Sequence, residues 1–289
     1  MKPVEDCRVG IVGLGLMGGA IAMALKKCGA FRAENIYAYD IDEETLELAV
    51  KSSVIGRSFS SPGEMLPLCD LVFLCLNPST LLEFMRTWMG SFASGALVTD
   101  IAGTKQNIVF AMEKTMRDDI DFIPGHPMAG SEKGGFSNAG FCDFRGKNYI
   151  LIPLKRNKNE NLEFLKTLIY RMGFARITET TAEEHDRKIA FTSQLCHVIA
   201  AALIDCENDL RITRFGGGSF EDLTRIAMLN VPMWTELFLE NKNELLKRIE
   251  QFEGSLDKLK GLISEGNSES LKENLAVIRN RRIAMSGQG

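Results

Sequence analysis

The 289-residue chain lacks several features that would assign a class at once. It has no excess of positive charge: 34 Lys and Arg face 38 Asp and Glu, a formal net charge of −4. That argues against nucleic acid or a membrane surface as a partner. A small anionic substrate must then be held by local arginines. The seven cysteines, Cys7, Cys28, Cys69, Cys75, Cys142, Cys196 and Cys206, include no C-x-x-C and no metal-ligand spacing, and their number is odd. Reduced thiols in a cytoplasmic protein, with no metal, are the expectation. Secretory character is missing from the start, because Glu5 and Asp6 break up any apolar core there. The longest apolar stretches, such as 71–76, are far too short to cross a bilayer. Internal repeats and low-complexity segments are absent.

What is present is an ordinary globular composition, 45% hydrophobic and 25% charged, enough for one large domain or two smaller ones. An apolar run at 8–12 enters Gly13-Leu14-Gly15-Leu16-Met17-Gly18-Gly19; a helical pattern follows, and 35–40 reads as a second strand. That order is one βαβ unit. Further short apolar runs at 71–76, 97–101, 121–123 and 149–152 alternate with helical patterns such as 80–88 and 106–116, and 173–178 reads as the last strand. Such alternation predicts a mostly parallel sheet covered on both faces. From Ala182 onward the pattern is helical: 182–210, 223–228, 232–239, 241–263 and 268–282, with Gly216-Gly217-Gly218-Ser219 as a loop. The boundary is placed near Thr181-Ala182, giving domains 1–181 and 182–289. Amphipathic helices with little else need a partner face, and a second copy of the chain would supply it.

Gly13, Gly15 and Gly18 fit G-x-G-x-x-G after a strand and at the opening of a helix. The first glycine permits the turn, the second lets backbone approach a pyrophosphate, and the third allows helix–strand packing. Leu16 and Met17 then lie at the helix N-terminus, where free N–H groups favour an anion. Asp40 ends the second strand, 22 residues after Gly18, where a carboxylate accepts from ribose hydroxyls. No Lys or Arg follows it before Lys51, which favours NAD over NADP. A helix N-cap is the competing role for an aspartate here, and Asp42, followed by Glu43 and Glu44, suits it. The fold class expected is an α/β Rossmann-type doubly wound parallel sheet followed by an all-helical dimerisation domain.

The segment Gly125-His126-Pro127-Met128-Ala129-Gly130-Ser131-Glu132 sets a histidine between two conformational specialists. It follows the run at 121–123, as if presented at the mouth of a strand, where open α/β sheets bind ligands. Histidine exchanges a proton near neutral pH. A histidine in a turn is also often a hydrogen-bonded structural residue.

Taken together the chain resembles the prephenate dehydrogenase family, with its arogenate and cyclohexadienyl dehydrogenase relatives. The resemblance spans nearly the whole chain. It rests on the Gly13 to Gly18 turn, Asp100-Ile101-Ala102-Gly103-Thr104-Lys105, the His126 block, His185-Asp186 and Ser193-Gln194-Leu195-Cys196-His197. It continues through Phe220-Glu221-Asp222-Leu223-Thr224-Arg225-Ile226-Ala227 and Pro232-Met233-Trp234. It implies NAD-dependent oxidative decarboxylation of prephenate to 4-hydroxyphenylpyruvate, on the route to tyrosine, by a homodimer.

In that chemistry His126 accepts the C4-hydroxyl proton and Thr104 orients His126 or that hydroxyl. Ser131, Glu132 and His197 line the substrate pocket, Gly218 belongs to a loop closing the pocket of the neighbouring subunit, and Arg225 binds the ring carboxylate through its planar fork. Asn77 follows the fourth strand, where a less polar turn is expected against the cofactor. Plainer roles stand beside these: an N-cap for Thr104, loop hydrogen bonds for Ser131 and Glu132, a solvated helix position for Arg225, and core or pocket wall for Trp234, core being favoured. His185 and Asp186 are expected to stabilise the domain junction. Competing activities are arogenate dehydrogenase, a β-hydroxyacid dehydrogenase using Lys188, and a non-catalytic NAD sensor.

Overall fold

The computed structural model describes residues 6–131 and 133–286. Two compact units, Met1–Asn241 and Lys242–Gly289, make up the chain. The first begins with β1 (Val9–Val12), α1 (Leu16–Lys27), β2 (Ile36–Tyr39), α2 (Glu43–Lys51), β3 (Arg57–Ser58) and α3 (Pro62–Met65). It continues through β4 (Leu71–Leu74), α4 (Pro78–Trp88), β5 (Leu97–Asp100), α5 (Gln106–Thr115) and β6 (Asp121–Phe122). These six strands form one parallel sheet in the order β3-β2-β1-β4-β5-β6.

Strands β1, β4 and β5 are buried at every residue. That is why β1 and β4 read as continuous runs rather than alternations, while β5 ends in the buried polar pair Thr99 and Asp100. Period-two geometry sends successive side chains to opposite faces. Ile11 and Phe73 join one core with Ile21, Leu25 and Leu165; Val12, Val72 and Leu74 join the other with Leu81, Met85 and Ile108. The sheet is therefore covered on both sides, and the strand order reverses between β1 and β4, which opens a crevice at their carboxyl ends.

The remaining strands depart from the single sheet expected. β7 (Gly125–Pro127), β8 (Asn148–Leu151) and β9 (Arg176–Glu179) form a separate three-stranded sheet, with α6 (Asn159–Arg171) between β8 and β9. β7 runs antiparallel to β8, with His126 opposite Ile150, and β8 runs parallel to β9. His126 is thus a strand residue, not a turn residue. Pro127 has no N–H to donate, which confines β7 to the edge it occupies.

After β9 the elements are helical. α7 (Ala182–Ile189) and α8 (Leu195–Asp205) are joined without a break by a π-helical segment, Ala190–Gln194. The continuous helix of 24 residues is long and apolar enough to cross a membrane by length and composition. Its apolar length exceeds that of the short runs in the sequence, yet this helix carries His185, Asp186 and Gln194, buried and hydrogen-bonded inside the protein. α9 (Gly218–Thr224) starts inside the glycine run expected as a loop, and α10 (Val231–Glu240) completes the unit. The second unit contains α11 (Lys242–Ser264) and α12 (Ser268–Ser286), packed on each other around a turn in which Gly266 has φ +65°.

The three motif glycines divide the labour. Gly13 has φ +85°, and a Cβ there would meet Cys75 O at 2.5 Å. At Gly18 a Cβ would sit 2.0 Å from Gly13 O, whereas at Gly15 it would meet nothing within 4 Å. Gly18→Ala should therefore lower unfolding free energy by about 1–3 kcal/mol, while Gly15→Ala, which meets no atom and loses only the N-cap preference for glycine over alanine, should cost less than Gly18→Ala, about 1 kcal/mol or below. Urea denaturation of the two variants checks the contrast; equal losses would contradict it.

Candidate active site

The carboxyl end of β1 is shaped for an anion. α1 opens at Gly15 with no side-chain cap and no acidic residue in its first turn. Its first-turn amides meet no competing carboxylate from their own helix, and the side of Gly15 is open. Leu16 and Met17 are half-buried in that turn. The Asp40 carboxylate accepts from Leu14 N at 2.5 Å and from Asp42 N at 2.9 Å, clasping the glycine turn to the end of β2. A carboxylate has about four acceptor positions, so two remain for ribose hydroxyls. Asp42 caps α2 through Glu44 N. Asn77 is exposed at the start of α4, and its side chain makes no cap bond. Instead Ser79 N donates to Glu236 Oε1 at 2.5 Å, so α10 supplies a carboxylate to that helix.

A polar network lies beyond β5. Asp100, fully buried, pairs with the fully buried Lys105. The same carboxylate accepts from Ala102 N at 2.9 Å and Gly125 N at 3.3 Å, fixing the turn after β5 and the first residue of β7. The Asp186 carboxylate arrives from α7 and accepts from Lys105 N at 2.8 Å and Gln106 N at 2.9 Å. It thereby caps α5, favoured by the helix dipole. Thr104 does not cap this helix, because Lys105 occupies the boundary position. Its hydroxyl is buried without a hydrogen-bond partner among the described residues. Such a group costs free energy unless something completes it.

His185 Nδ1 is 2.7 Å from Asp186 Oδ1, and His185 Nε2 is 2.9 Å from His126 Nδ1. The three side chains form one line from the α5 N-terminus to β7. Burial, then the charges of His185 and Lys105, hold the His126 imidazole well below its ordinary range. Burial likewise lowers His185, with the neighbouring Asp186 opposing it. Both rings are neutral near pH 7.

His197 and Arg225 belong to a second cluster. His197 Nδ1 is 2.9 Å from Ser193 O, to which it donates, and its ring lies 3.6 Å from that of Trp234, centroid to centroid. Trp234 is half-buried against His197 rather than in the core. Arg225 opens a short 3-10 turn, Arg225–Ala227, that packs on α8, and its charge adds to the burial that depresses His197. Gly218 begins α9 beside a shallow concavity lined by Phe215, Gly216 and Phe220. Ser131 is exposed, its hydroxyl accepting from Lys133 N at 3.2 Å, which is the loop-stabilising role. Glu132 lies outside the described residues. Lys188 is exposed and pairs with Glu184 at 3.5 Å, away from the His126 line.

A family model described as prephenate dehydrogenase, nucleotide-binding domain, matches residues 21–178, and one described as prephenate dehydrogenase, dimerization domain, matches 181–277. The chain belongs to the prephenate dehydrogenase family. The prephenate dehydrogenase of Lactococcus lactis is 32% identical over 270 residues, 91% of this chain and 73% of that one. A crystal structure of prephenate dehydrogenase from Aquifex aeolicus, in complex with hydroxyphenyl propionate and NAD+, superimposes with TM-score 0.86 at 32% identity, covering 98% of this chain and 100% of that one. Synechocystis arogenate dehydrogenase superimposes with TM-score 0.78 at 26% identity, covering 96% and 99%.

Within this family fold, Lys105, His185 and Asp186 stand at the site although sequence reasoning gave them no chemical part. Asp100 closing an apolar strand, with Lys105 five residues on, is the available signal. Removing one partner of a buried pair strands the other charge, so Lys105→Met should lower unfolding free energy by roughly 3–5 kcal/mol. Adding Asp100→Asn should recover part of it, as equilibrium denaturation of the single and double variants would reveal. Because the His126 pKa lies below 6.5 in the folded chain, the unfolded chain binds the proton first as pH falls. This stabilisation is complete above about pH 6.5 and erodes below it, at up to about 1.4 kcal/mol per pH unit for one histidine. Thermal unfolding should show a shallower acid slope in His126→Asn; an unchanged slope would assign the effect elsewhere.

Proposed function

We propose that this chain catalyses the NAD-dependent oxidative decarboxylation of prephenate to 4-hydroxyphenylpyruvate. The observation carrying the reading is the neutral His126, whose neighbour Gly125 is held by Asp100 at the carboxyl end of β5 and whose ring lies next to Gly103, one residue before the buried Thr104 hydroxyl that has no partner among the described residues. Membership of the family supports it.

The open flank of Gly15 and the uncapped start of α1 suit a pyrophosphate, and Gly13, Gly15, Leu16, Met17, Gly18, Asp40 and Asn77 are the residues assigned to the cofactor. NAD, when bound, supplies the hydride acceptor for C4 of the substrate. His126 takes the proton of the C4 hydroxyl as that carbon is oxidised. Loss of the ring carboxylate as carbon dioxide completes the aromatic ring, and the proton held on His126 returns to the phenolate oxygen. Thr104 offers its free hydroxyl to the C4 oxygen or to His126. Arg225 clamps the ring carboxylate as a charged, bidentate donor, and His197, Ser131 and Glu132 bound the substrate.

Residues 1–181 act in this reading as the NAD domain and 182–289 as the substrate and dimerisation domain. The helices leave Leu210, Phe215, Val231 and Leu239 largely exposed, as a homodimer with Gly218 near its partner's pocket would require. The seven cysteines are all free, which suits the cytoplasm. Arogenate is the second substrate to be tried, because the Synechocystis relative is an arogenate dehydrogenase.

Formation of NADH by the purified chain with prephenate or arogenate tests the reaction, and the ratio of kcat/KM values names the substrate. His126→Asn should lower kcat by roughly 10²–10⁴-fold. Arg225→Gln should raise KM for the substrate by about 10–100-fold while KM for NAD stays near its original value. No turnover with either substrate, or full turnover in His126→Asn, would overturn the assignment.

A further inference from the structure

We propose that Asp186 and His185 are positioning residues that fix His126 in its Nδ1–H tautomer and so keep Nε2 bare as the acceptor. This deepens, and rests on, the proton-acceptor role proposed for His126.

The argument is a count of protons along one line. The Asp186 carboxylate accepts from two backbone amides, Lys105 N and Gln106 N, and a carboxylate has no proton to give. His185 Nδ1, 2.7 Å away, must therefore be the donor. In a neutral imidazole only one nitrogen carries hydrogen, so His185 Nε2 is a lone pair. That lone pair faces His126 Nδ1 at 2.9 Å, and the contact is a hydrogen bond only if His126 Nδ1 donates. His126 Nε2 is then left without a proton. Each ring has a single assignment, set by the carboxylate at the far end.

The surroundings keep the count intact. Lys105 is fully buried and its charge opposes protonation of both rings, while Asp100 is already engaged by Lys105, Ala102 N and Gly125 N. When Nε2 takes a proton, the imidazolium Nδ1–H still donates to His185, whose Nδ1–H still donates to Asp186. No group has to turn for the new charge to be felt by the carboxylate. The tilt of 59° between the two rings, with centroids 5.1 Å apart, shows an edge contact through nitrogen rather than stacking.

The test uses the full chain labelled with 15N-histidine. The sequence has three histidines, so three rings appear and His126→Asn and His197→Asn assign them. The expected wild-type spectrum has a protonated Nδ1 and a bare Nε2 at His126. Asp186→Asn with its amide toward His185 keeps an oxygen on Gln106 N, gives up the Lys105 N bond that Oδ1 also holds, and should reverse both rings. Turnover with prephenate and NAD should then fall roughly 10²–10⁴-fold, as tautomer reversal by Asp→Asn does in serine proteases, with KM for NAD within about twofold. His185→Gln can still accept from His126 Nδ1 and should exceed His185→Leu in kcat by about tenfold or more.

A wild-type His126 protonated on Nε2, or an unchanged His126 signal in Asp186→Asn, would overturn the proposal. The wild-type spectrum decides even if a variant fails to fold. A bare Nε2 together with full turnover in His126→Asn would uphold the tautomer lock and refute the proton-acceptor reading.

Discussion

The site depends on one carboxylate. Asp186 sits on α7, yet its oxygens terminate α5 and hold His185. A helix start normally finds its cap in the preceding residues; here that cap is brought from 80 positions away in sequence. The cap of α5 is therefore complete only when α7 has docked. The imidazole pair is built by the same event. Folding of the helical segment and assembly of the proton-accepting end are one process, because both use the same two oxygens.

A buried ion pair is a poor source of stability, since removing two charges from water costs about as much as their attraction returns. The Asp100–Lys105 pair is better understood through what else it fixes. Asp100 orders the turn after β5 and the first residue of β7, on either side of the space before His126. Lys105, whose own pKa burial lowers against the pull of Asp100, places a positive charge near two imidazoles and helps keep both neutral. A hydrophobic replacement of equal volume could pack there, but it would release the β7 backbone and let His126 titrate closer to its ordinary range.

The sequence made the sheet and the nucleotide end readable because their constraints are local. Unbroken apolar runs mark strands buried on both faces, and Gly13 and Gly18 are dictated by backbone collisions within one turn. The part played by His185 was not readable, because it arises from contacts 59 residues apart in sequence. By its residue type alone Thr104 suits an N-cap, and only the long-range Asp186 bond shows why that cap is not needed. The separate sheet of β7, β8 and β9 was missed for a related reason: a three-residue edge strand has too little periodicity to declare its direction, although Pro127 hinted at an edge. Trp234 looked like core by composition, yet its ring is matched to His197 at the rim.

The helix from Ala182 to Asp205 serves two clusters facing different ways. In an unbroken α-helix Asp186 and His197, 11 residues apart, would point in nearly the same direction, since about 3.6 residues make a turn. The π-segment Ala190–Gln194 between them is wound more widely and alters that phase. Asp186 can then face α5 while His197 turns to Trp234 and Arg225. The widened turn also brings in Gln194, which donates to Leu237 O and accepts from Asn241, while Asn241 donates in turn to Asp186 O. α10 is anchored by these bonds at one end, by Glu236 at the start of α4 and by Glu240 against Asn107 of α5. The local irregularity of one helix thus sets the height and rotation of the next, and with them the position of Trp234 relative to His197. A substitution restoring regular α-helix through 190–194 would displace both clusters at once, although it would touch neither His126 nor Arg225.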